Sequence, residues 1–200
     1  MSPTTTDGPG ALLLFPGAGA GRDHRTLVAL EKGLDLPVTR ADFPYRREGR
    51  KAPDRAPKAI ACVREEAALV ADRAGVAPER VVLGGRSFGG RMCSMAVAEG
   101  LPAAGLVLIS YPLHPPGKPD RLRIEHLPDI AVPCLFVAGD RDPFGTPDEL
   151  ASHAAVIAGP VTHVTVSGTH ELRSNDGEVV EAVRTWLAGL RGEAGAPPGT

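Results

Sequence analysis

The sequence Val-Val-Leu-Gly-Gly-Arg-Ser-Phe-Gly-Gly-Arg, residues 81–91, decides the fold. It begins with a short apolar and β-branched run, Val81–Leu83, and leads into Arg91–Glu99, an apolar-rich segment of helical length. The glycines between these segments allow a sharp turn, because a Cβ there would collide with a neighbouring strand or helix. The pattern Gly-x-Ser-x-Gly at 85–89 therefore predicts that Ser87 lies on a strained strand-to-helix turn, with its hydroxyl exposed above a sheet.

Apolar runs on both sides of this turn repeat the same strand-then-helix order. The predicted strands are Ala11–Phe15, Val38–Phe43, Val81–Leu83, Gly105–Ser110, Pro133–Gly139 and Val161–Ser167. The predicted helices cover residues 23–32, 57–74, 91–99, 147–158 and 177–190. This alternation predicts a doubly wound α/β fold of about six parallel strands covered by helices on both faces. If the second and third strands flank the first, the order is 2-1-3-4-5-6, and ligands bind at the switch point beside Ser87.

A serine hydroxyl becomes a nucleophile when a base accepts its proton and an acid orients that base. In this kind of sheet both partners lie on loops after later strands, with the acid before the histidine in the chain. The loop after the fifth predicted strand carries Asp140 and Asp142, and the loop after the sixth carries His170. We assign Ser87, Asp142 and His170 as the catalytic residues. Asp140 remains an alternative for the acid, and the other histidines are interpreted as structural.

A glycine-rich segment, Pro-Gly-Ala-Gly-Ala-Gly at 16–21, follows the first predicted strand. A dinucleotide-binding fingerprint that starts at Gly17 would need glycine where the chain has Arg22, and the Gly-Lys-Ser/Thr of a phosphate-binding loop is absent. The alternative interpretation places this segment beside Ser87, where its backbone could stabilise a developing oxyanion. The N–H groups of Ala18 and Phe88 are the candidates for that oxyanion hole.

The composition is that of an ordinary globular protein, with 42% apolar residues, 23% charged residues and a net charge of −2. Such a balance gives no global electrostatic reason to bind nucleic acid or a membrane. Residues 1–10 lack basic side chains, and the apolar run at 11–15 is too short for the core of a signal peptide. We therefore expect a cytoplasmic protein with one domain at 11–190 and flexible termini at 1–10 and 191–200.

Three cysteines, Cys62, Cys93 and Cys134, lie far apart in apolar patterns. Their odd number and wide spacing predict buried free thiols, as expected in a reducing compartment. No paired Cys/His spacing indicates a metal site. We therefore expect neither a metal nor a cofactor.

The proline-rich stretch at 44–57 is predicted to be a loop. With the next residue it carries several basic side chains, Arg46, Arg47, Arg50, Lys51, Arg55 and Lys58. Two interpretations remain open for them: a solvated surface, or a rim that attracts an anionic substrate or a partner.

Three stretches of the chain carry a resemblance to a known family. They are Gly-Gly-Arg-Ser-Phe-Gly-Gly-Arg at 84–91, Ser-Tyr-Pro-Leu-His-Pro-Pro-Gly-Lys-Pro at 110–119 and Leu-Phe-Val-Ala-Gly-Asp-Arg-Asp at 135–142. From about residue 11 to 190, the chain resembles a family of small α/β-hydrolases. This family includes bacterial dienelactone-hydrolase-like proteins and a domain of the third subunit of the non-specific-lethal histone-acetyltransferase complex. The middle stretch is the most specific of the three.

This resemblance implies an α/β-hydrolase fold, the catalytic set Ser87, Asp142 and His170, and an oxyanion loop at 17–19. The connection from 110 to 133 is too short for a cap domain, so we expect an open pocket. One departure concerns Pro16, because relatives often have histidine at this position. Proline has no N–H, so any hydrogen bond donated by that position is lost.

Two functions of different classes follow. The first is a serine hydrolase, such as an esterase, that acts on a small-molecule ester, lactone or thioester through an acyl-enzyme on Ser87. The second is a non-catalytic scaffold of the same fold that binds a ligand or a protein partner, which the change at Pro16 and the missing cap favour.

Overall fold

A computed structural model describes residues 8–193 of the 200-residue chain. Six strands form one parallel sheet: β1 (Ala11–Phe15), β2 (Val38–Arg40), β3 (Val81–Arg86), β4 (Gly105–Ile109), β5 (Cys134–Gly139) and β6 (Val161–Val166). Their order is β2-β1-β3-β4-β5-β6, so the predicted sheet and strand order are confirmed. Because the order reverses at β1, the loops after β1 and β3 diverge there and leave a crevice between them.

Six α-helices connect the strands: α1 (Arg25–Gly33), α2 (Pro44–Arg47), α3 (Ala56–Ala74), α4 (Phe88–Ala98), α5 (Pro147–Ala154) and α6 (Asp176–Glu193). Short 3₁₀ turns at Pro78–Arg80 and Leu127–Asp129 complete the described elements. Within the described residues, only the second of these turns interrupts the chain between β4 and β5. The sheet edge above Ser87 therefore carries no cap domain.

Both faces of the sheet are buried along its four central strands, β1, β3, β4 and β5, as their continuous apolar runs require. In β1, Leu13 and Phe15 pack with α3 and α4 on one face, whereas Leu12 and Leu14 pack with α1 and α6 on the other. This alternation follows from the twofold period of side chains along a strand. The sheet is thus held rigidly between two helical layers, and its strand ends form a fixed base for the loops.

The segment after β2 differs from its prediction. The strand ends at Arg40 rather than Phe43, because the Phe43 ring turns inward and stacks on Phe15 with centroids 4.6 Å apart. The stretch at 44–57 is also not all loop, since it contains α2 and the start of α3. Both helices have proline in the first turn, where its missing N–H breaks no helical hydrogen bond.

The chain ends are described only in part. The termini at 1–10 and 191–200 are predicted to be flexible, and of these, residues 1–7 and 194–200 lie outside the described part of the chain. Gly10 N–H donates to the Arg80 carbonyl at 2.9 Å, and Arg80 donates to the Gly8 carbonyl at the same distance. At the other end, α6 runs three residues beyond the helix end predicted at 190.

No helix in the described part of the chain combines the length and the apolar character needed to cross a membrane.

Candidate active site

The turn between β3 and α4 holds Ser87 in an unusual backbone conformation. Its φ of 51° and ψ of −115° lie outside the common regions for a residue with a side chain. The glycines explain how the chain tolerates this, since a Cβ on Gly85 would come 2.2 Å from the Phe15 carbonyl oxygen and one on Gly89 would come 2.4 Å from it. The Ser87 N–H donates to the Ile109 carbonyl at 2.8 Å, which ties the turn to the end of β4.

The three residues predicted to be catalytic meet at this turn. His170 Nε2 lies 2.9 Å from Ser87 Oγ, and His170 Nδ1 lies 2.8 Å and 3.0 Å from the two carboxylate oxygens of Asp142. Asp142 is 3% exposed and His170 is 9% exposed, so the carboxylate and imidazole interact away from bulk water. The hydroxyl, the imidazole and the carboxylate thus form one hydrogen-bonded line, which is the arrangement expected of a nucleophile, its base and an orienting acid.

Asp142 rather than Asp140 contacts the histidine. The Phe144 N–H donates to Asp142 Oδ1 at 2.8 Å, which fixes the carboxylate in its turn. Asp140 instead accepts from the Gly168 N–H at 2.7 Å, and this bond lowers the pKa of its exposed carboxyl group. The alternative acid therefore shapes the loop that carries His170 without touching the imidazole.

Two residues that the sequence analysis missed hold His170 in place. The Phe144 ring stacks on the imidazole with centroids 4.0 Å apart. The buried Arg86 donates to the His170 carbonyl at 2.7 Å and pairs with Glu171 at 2.9 Å. Burial opposes ionisation of Glu171, but the charge and the hydrogen bond of Arg86, together with the nearby histidines, outweigh burial and lower the pKa of that carboxyl group. Arg86 precedes Ser87 and Glu171 follows His170 in the sequence, but only the structure shows that these two side chains pair.

The glycine loop after β1 lies against the nucleophile. A Cβ added to Gly17 would come 3.1 Å from the Arg86 guanidinium and 3.5 Å from the Ser87 Cβ. The Tyr45 hydroxyl donates to the Ala18 carbonyl at 2.7 Å and anchors the loop to α2. Neither the Ala18 N–H nor the Phe88 N–H donates to an acceptor in the described part of the chain. Both residues line the same open cavity as Ser87, so their N–H groups stay available to a ligand.

That cavity has a volume of about 440 Å³. It is lined by the glycine loop, by Ser87 and His170 with their neighbours, and by four further residues, Arg91, Pro112, Arg123 and Phe144. Among the described residues, no group of three or more histidine, cysteine, aspartate or glutamate side chains is placed to hold a metal ion.

The remaining histidines lie away from this cavity. His24 Nδ1 caps α1 by accepting from the Thr26 N–H at 3.4 Å. His126 lies 2.8 Å from the Ser94 hydroxyl, and His163 stacks on Phe136. His114 is buried near Glu149, 3.8 Å from its carboxylate. These contacts favour the structural interpretation.

Much of the basic stretch at 46–58 is neutralised by acidic neighbours. Arg47 pairs with Glu66 on α3 at 2.6 Å, Arg50 with Asp54 at 2.7 Å, and Lys58 with Glu48 at 3.0 Å. Since the paired side chains cancel one another's charge, the stretch favours a solvated surface over a rim that attracts anions.

Comparison with known proteins agrees with this fold. A family model described as an alpha/beta hydrolase domain matches residues 9–186. An α/β serine hydrolase homologue from Coxiella burnetii is 19% identical, with a TM-score of 0.72 over 89% of this chain and 85% of that one. Est1E from Butyrivibrio proteoclasticus is 17% identical, with a TM-score of 0.70 over 95% and 91%. The type II thioesterase BorB from the borrelidin biosynthetic cluster is 19% identical, with a TM-score of 0.67 over 94% and 93%. At these identities, the solved structures establish similarity of fold.

Proposed function

This chain belongs to the α/β-hydrolase domain family, and from that premise we propose that it is a serine hydrolase that cleaves a carboxylic ester, lactone or thioester. The observation that supports the proposal is the line of hydrogen bonds from Asp142 through His170 to Ser87. Removing one proton from the hydroxyl through this line makes the oxygen nucleophilic without a metal or a cofactor.

The chemistry would proceed in two halves. Ser87 Oγ attacks the acyl carbon while His170 Nε2 takes the hydroxyl proton, and Asp142 stabilises the resulting imidazolium. The Ala18 and Phe88 N–H groups donate to the oxyanion, and the amino end of α4 adds a favourable dipole. His170 then gives its proton to the leaving alcohol or thiol as the carbon–oxygen or carbon–sulfur bond breaks. Water, deprotonated by the same imidazole, hydrolyses the acyl-enzyme and restores the serine.

Within the family, we place the chain near the dienelactone-hydrolase-like proteins and the third subunit of the non-specific-lethal complex. The sequence of the stretch at 110–119 supports this placement, and its Pro112 lines the cavity beside Ser87. We assign the activity to the cytoplasm because Cys62, Cys93 and Cys134 are all buried free thiols, which suits a reducing compartment.

The test is turnover of short-chain 4-nitrophenyl esters by the wild-type protein, by Ser87→Ala and by Ser94→Ala. Ser94 is a matched control, because it also belongs to the α4 region but is buried against the Arg91 carbonyl and His126. We expect turnover by the wild type and by Ser94→Ala, and only the background rate with Ser87→Ala. Wild-type turnover equal to that of Ser87→Ala would instead favour the non-catalytic scaffold.

A further inference from the structure

Two arginines that line the cavity beside Ser87 have no acidic partner. In the described part of the chain, no carboxylate lies within 4.0 Å of the guanidinium of Arg91 or of Arg123, whereas Arg86 in the same cavity pairs with Glu171. The Nε of Arg91 is buried and has no hydrogen-bond acceptor among the described residues. An arginine fork is normally satisfied by a carboxylate or phosphate when it leaves bulk water. Two guanidinium groups without carboxylate partners in one cavity therefore indicate a place for an anionic group of a ligand.

Arg91 is placed directly beside the nucleophile. Its N–H donates to the Ser87 carbonyl at 3.0 Å, so it lies one helical turn further along α4. Residues four apart in a helix share one face, which directs the Arg91 side chain to the side of α4 that carries Ser87. A group bound to Arg91 would thus belong to the same molecule as the acyl carbon at Ser87.

Arg123 approaches the same cavity from the connection between β4 and β5. Its backbone is fixed at both ends, because its N–H donates to the Leu113 carbonyl at 2.9 Å and its carbonyl accepts from the Tyr111 hydroxyl at 2.7 Å. Its guanidinium makes one long bond, at 3.3 Å, to the Pro112 carbonyl. Most of its five donors thus stay available while its position is set before any ligand arrives.

The two positive charges are close enough to disfavour each other. Burial lowers the pKa of Arg123, and the charge of Arg91 lowers it further. The cavity lining holds three arginines against one glutamate, in a chain whose net charge is −2. Local positive charge that persists in an acidic protein costs stability unless an anion compensates it. An anionic ligand would relieve both the repulsion and the unsatisfied donors.

We propose that Arg91 and Arg123 form an anion subsite that selects substrates carrying a carboxylate or phosphate near the scissile acyl bond. This inference rests on the proposed hydrolase function and names its substrate class. Both kinds of substrate carry an anionic oxygen group that would accept hydrogen bonds from the two guanidinium groups. Its source is either a carboxylate on the acyl chain, as in a hemiester of a dicarboxylic acid, or a phosphate on a short leaving group, as in an ester of 2-hydroxyethyl phosphate.

Two pairs of substrates separate these sources. The first pair is 4-nitrophenyl hemiglutarate and the neutral 4-nitrophenyl pentanoate. The second pair is 2-(butyryloxy)ethyl phosphate and the neutral 2-methoxyethyl butyrate. We expect the anionic member of at least one pair to have a kcat/KM about 10- to 100-fold higher, as for hydrogen bonds to a charged group. Arg91→Gln and Arg123→Gln should each lower that ratio about tenfold, mainly through KM, and Arg91→Lys should restore part of it. Arg121→Gln, an exposed control on the same connection, should leave the ratio unchanged.

The outcomes distinguish this inference from the proposed function. The anion subsite would be refuted if kcat/KM is equal within both pairs. It would also be refuted if Arg91→Gln and Arg123→Gln fold but leave the ratio of kcat/KM between anionic and neutral substrates unchanged. Neither result would contradict the proposed hydrolase activity. If no ester is hydrolysed at all, calorimetry with Ser87→Ala still decides the matter. Binding of 4-nitrophenyl hemiglutarate or 2-(butyryloxy)ethyl phosphate that is weakened about tenfold by Arg91→Gln would support the subsite. The subsite would be refuted if Ser87→Ala binds neither compound, or if adding Arg91→Gln leaves the affinity unchanged.

Discussion

Gly139 ends β5 directly beneath the loop that carries His170. A Cβ at this position would come 2.5 Å from the Gly168 carbonyl oxygen and 2.8 Å from that of Thr169. Both atoms belong to the backbone, so neither can move aside by a change of rotamer. In a Gly139→Ala variant, the loop would have to retreat by about 1 Å to restore ordinary van der Waals distances.

The displaced loop carries His170, whose Nε2 lies 2.9 Å from Ser87 Oγ. A retreat of that size would break the hydrogen bond to the nucleophile, and misplacement by about 1 Å costs on the order of 100-fold in rate. We therefore expect kcat for ester hydrolysis to fall about 10- to 100-fold, with a smaller change in KM because most of the cavity lining lies outside the displaced loop. Overpacking at Gly139 should also lower the free energy of unfolding by about 1–3 kcal/mol.

The assay compares ester kinetics and urea unfolding of Gly139→Ala with those of Gly189→Ala. Gly189 lies in α6, where an added Cβ would have no described atom outside its own helix within 4 Å, so the same substitution meets no neighbour there. We expect Gly189→Ala to keep wild-type kinetics and gain about 0.5–1 kcal/mol of stability, as alanine replaces glycine in a helix. Wild-type kcat in folded Gly139→Ala would refute the inference that this glycine sets the position of His170.

Three further predictions concern single side chains. Asp142→Asn should lower kcat about 10³- to 10⁴-fold, because the amide no longer selects the productive tautomer of the histidine. Asp140→Asn should lower kcat far less, because Asp140 bonds to the Gly168 N–H and not to the imidazole; steady-state kinetics check both. Burial, helped by the charge of Arg91, lowers the pKa of His126 to about 4. The unfolded chain therefore binds more protons than the folded chain between pH 6.5 and 4, and the free energy of unfolding should fall by about 2 kcal/mol as the pH drops through that window. Urea unfolding of His126→Gln over the same pH range should show a smaller fall. Thr146→Ala should cost about 1 kcal/mol in thermal unfolding, because it removes the capping box that Thr146 forms with Glu149 at the start of α5.

The strand order and the proximity of Ser87, Asp142 and His170 could be predicted because each depends on a short sequence pattern that is compatible with only one arrangement. Buried parallel strands read as continuous apolar runs, and loops after such strands share one edge of the sheet. The glycines around Ser87 added a steric constraint that the structure bears out, since the Phe15 carbonyl leaves no room for a Cβ on either side of the turn. In these places the local sequence and the tertiary fold demand the same geometry.

The residues that position His170 could not be predicted, because they depend on contacts between distant segments. Nothing in the local pattern indicates that Phe144 stacks on the imidazole or that Arg86 reaches the His170 carbonyl, 84 positions later. The short helix α2 was missed for a related reason: proline content suggested a loop, but proline in a first helical turn is favourable. The unpaired state of Arg91 and Arg123 likewise becomes visible only when all neighbouring carboxylates have been located.

The most direct test of the account is intact-protein mass spectrometry after treatment with a fluorophosphonate, followed by peptide mapping of the adduct. We predict a single adduct on Ser87 in the wild-type protein and in Ser94→Ala, and none in Ser87→Ala or in denatured wild type. An unlabelled folded wild-type protein, or an adduct on any other residue, would contradict the claim that Asp142 and His170 activate this serine.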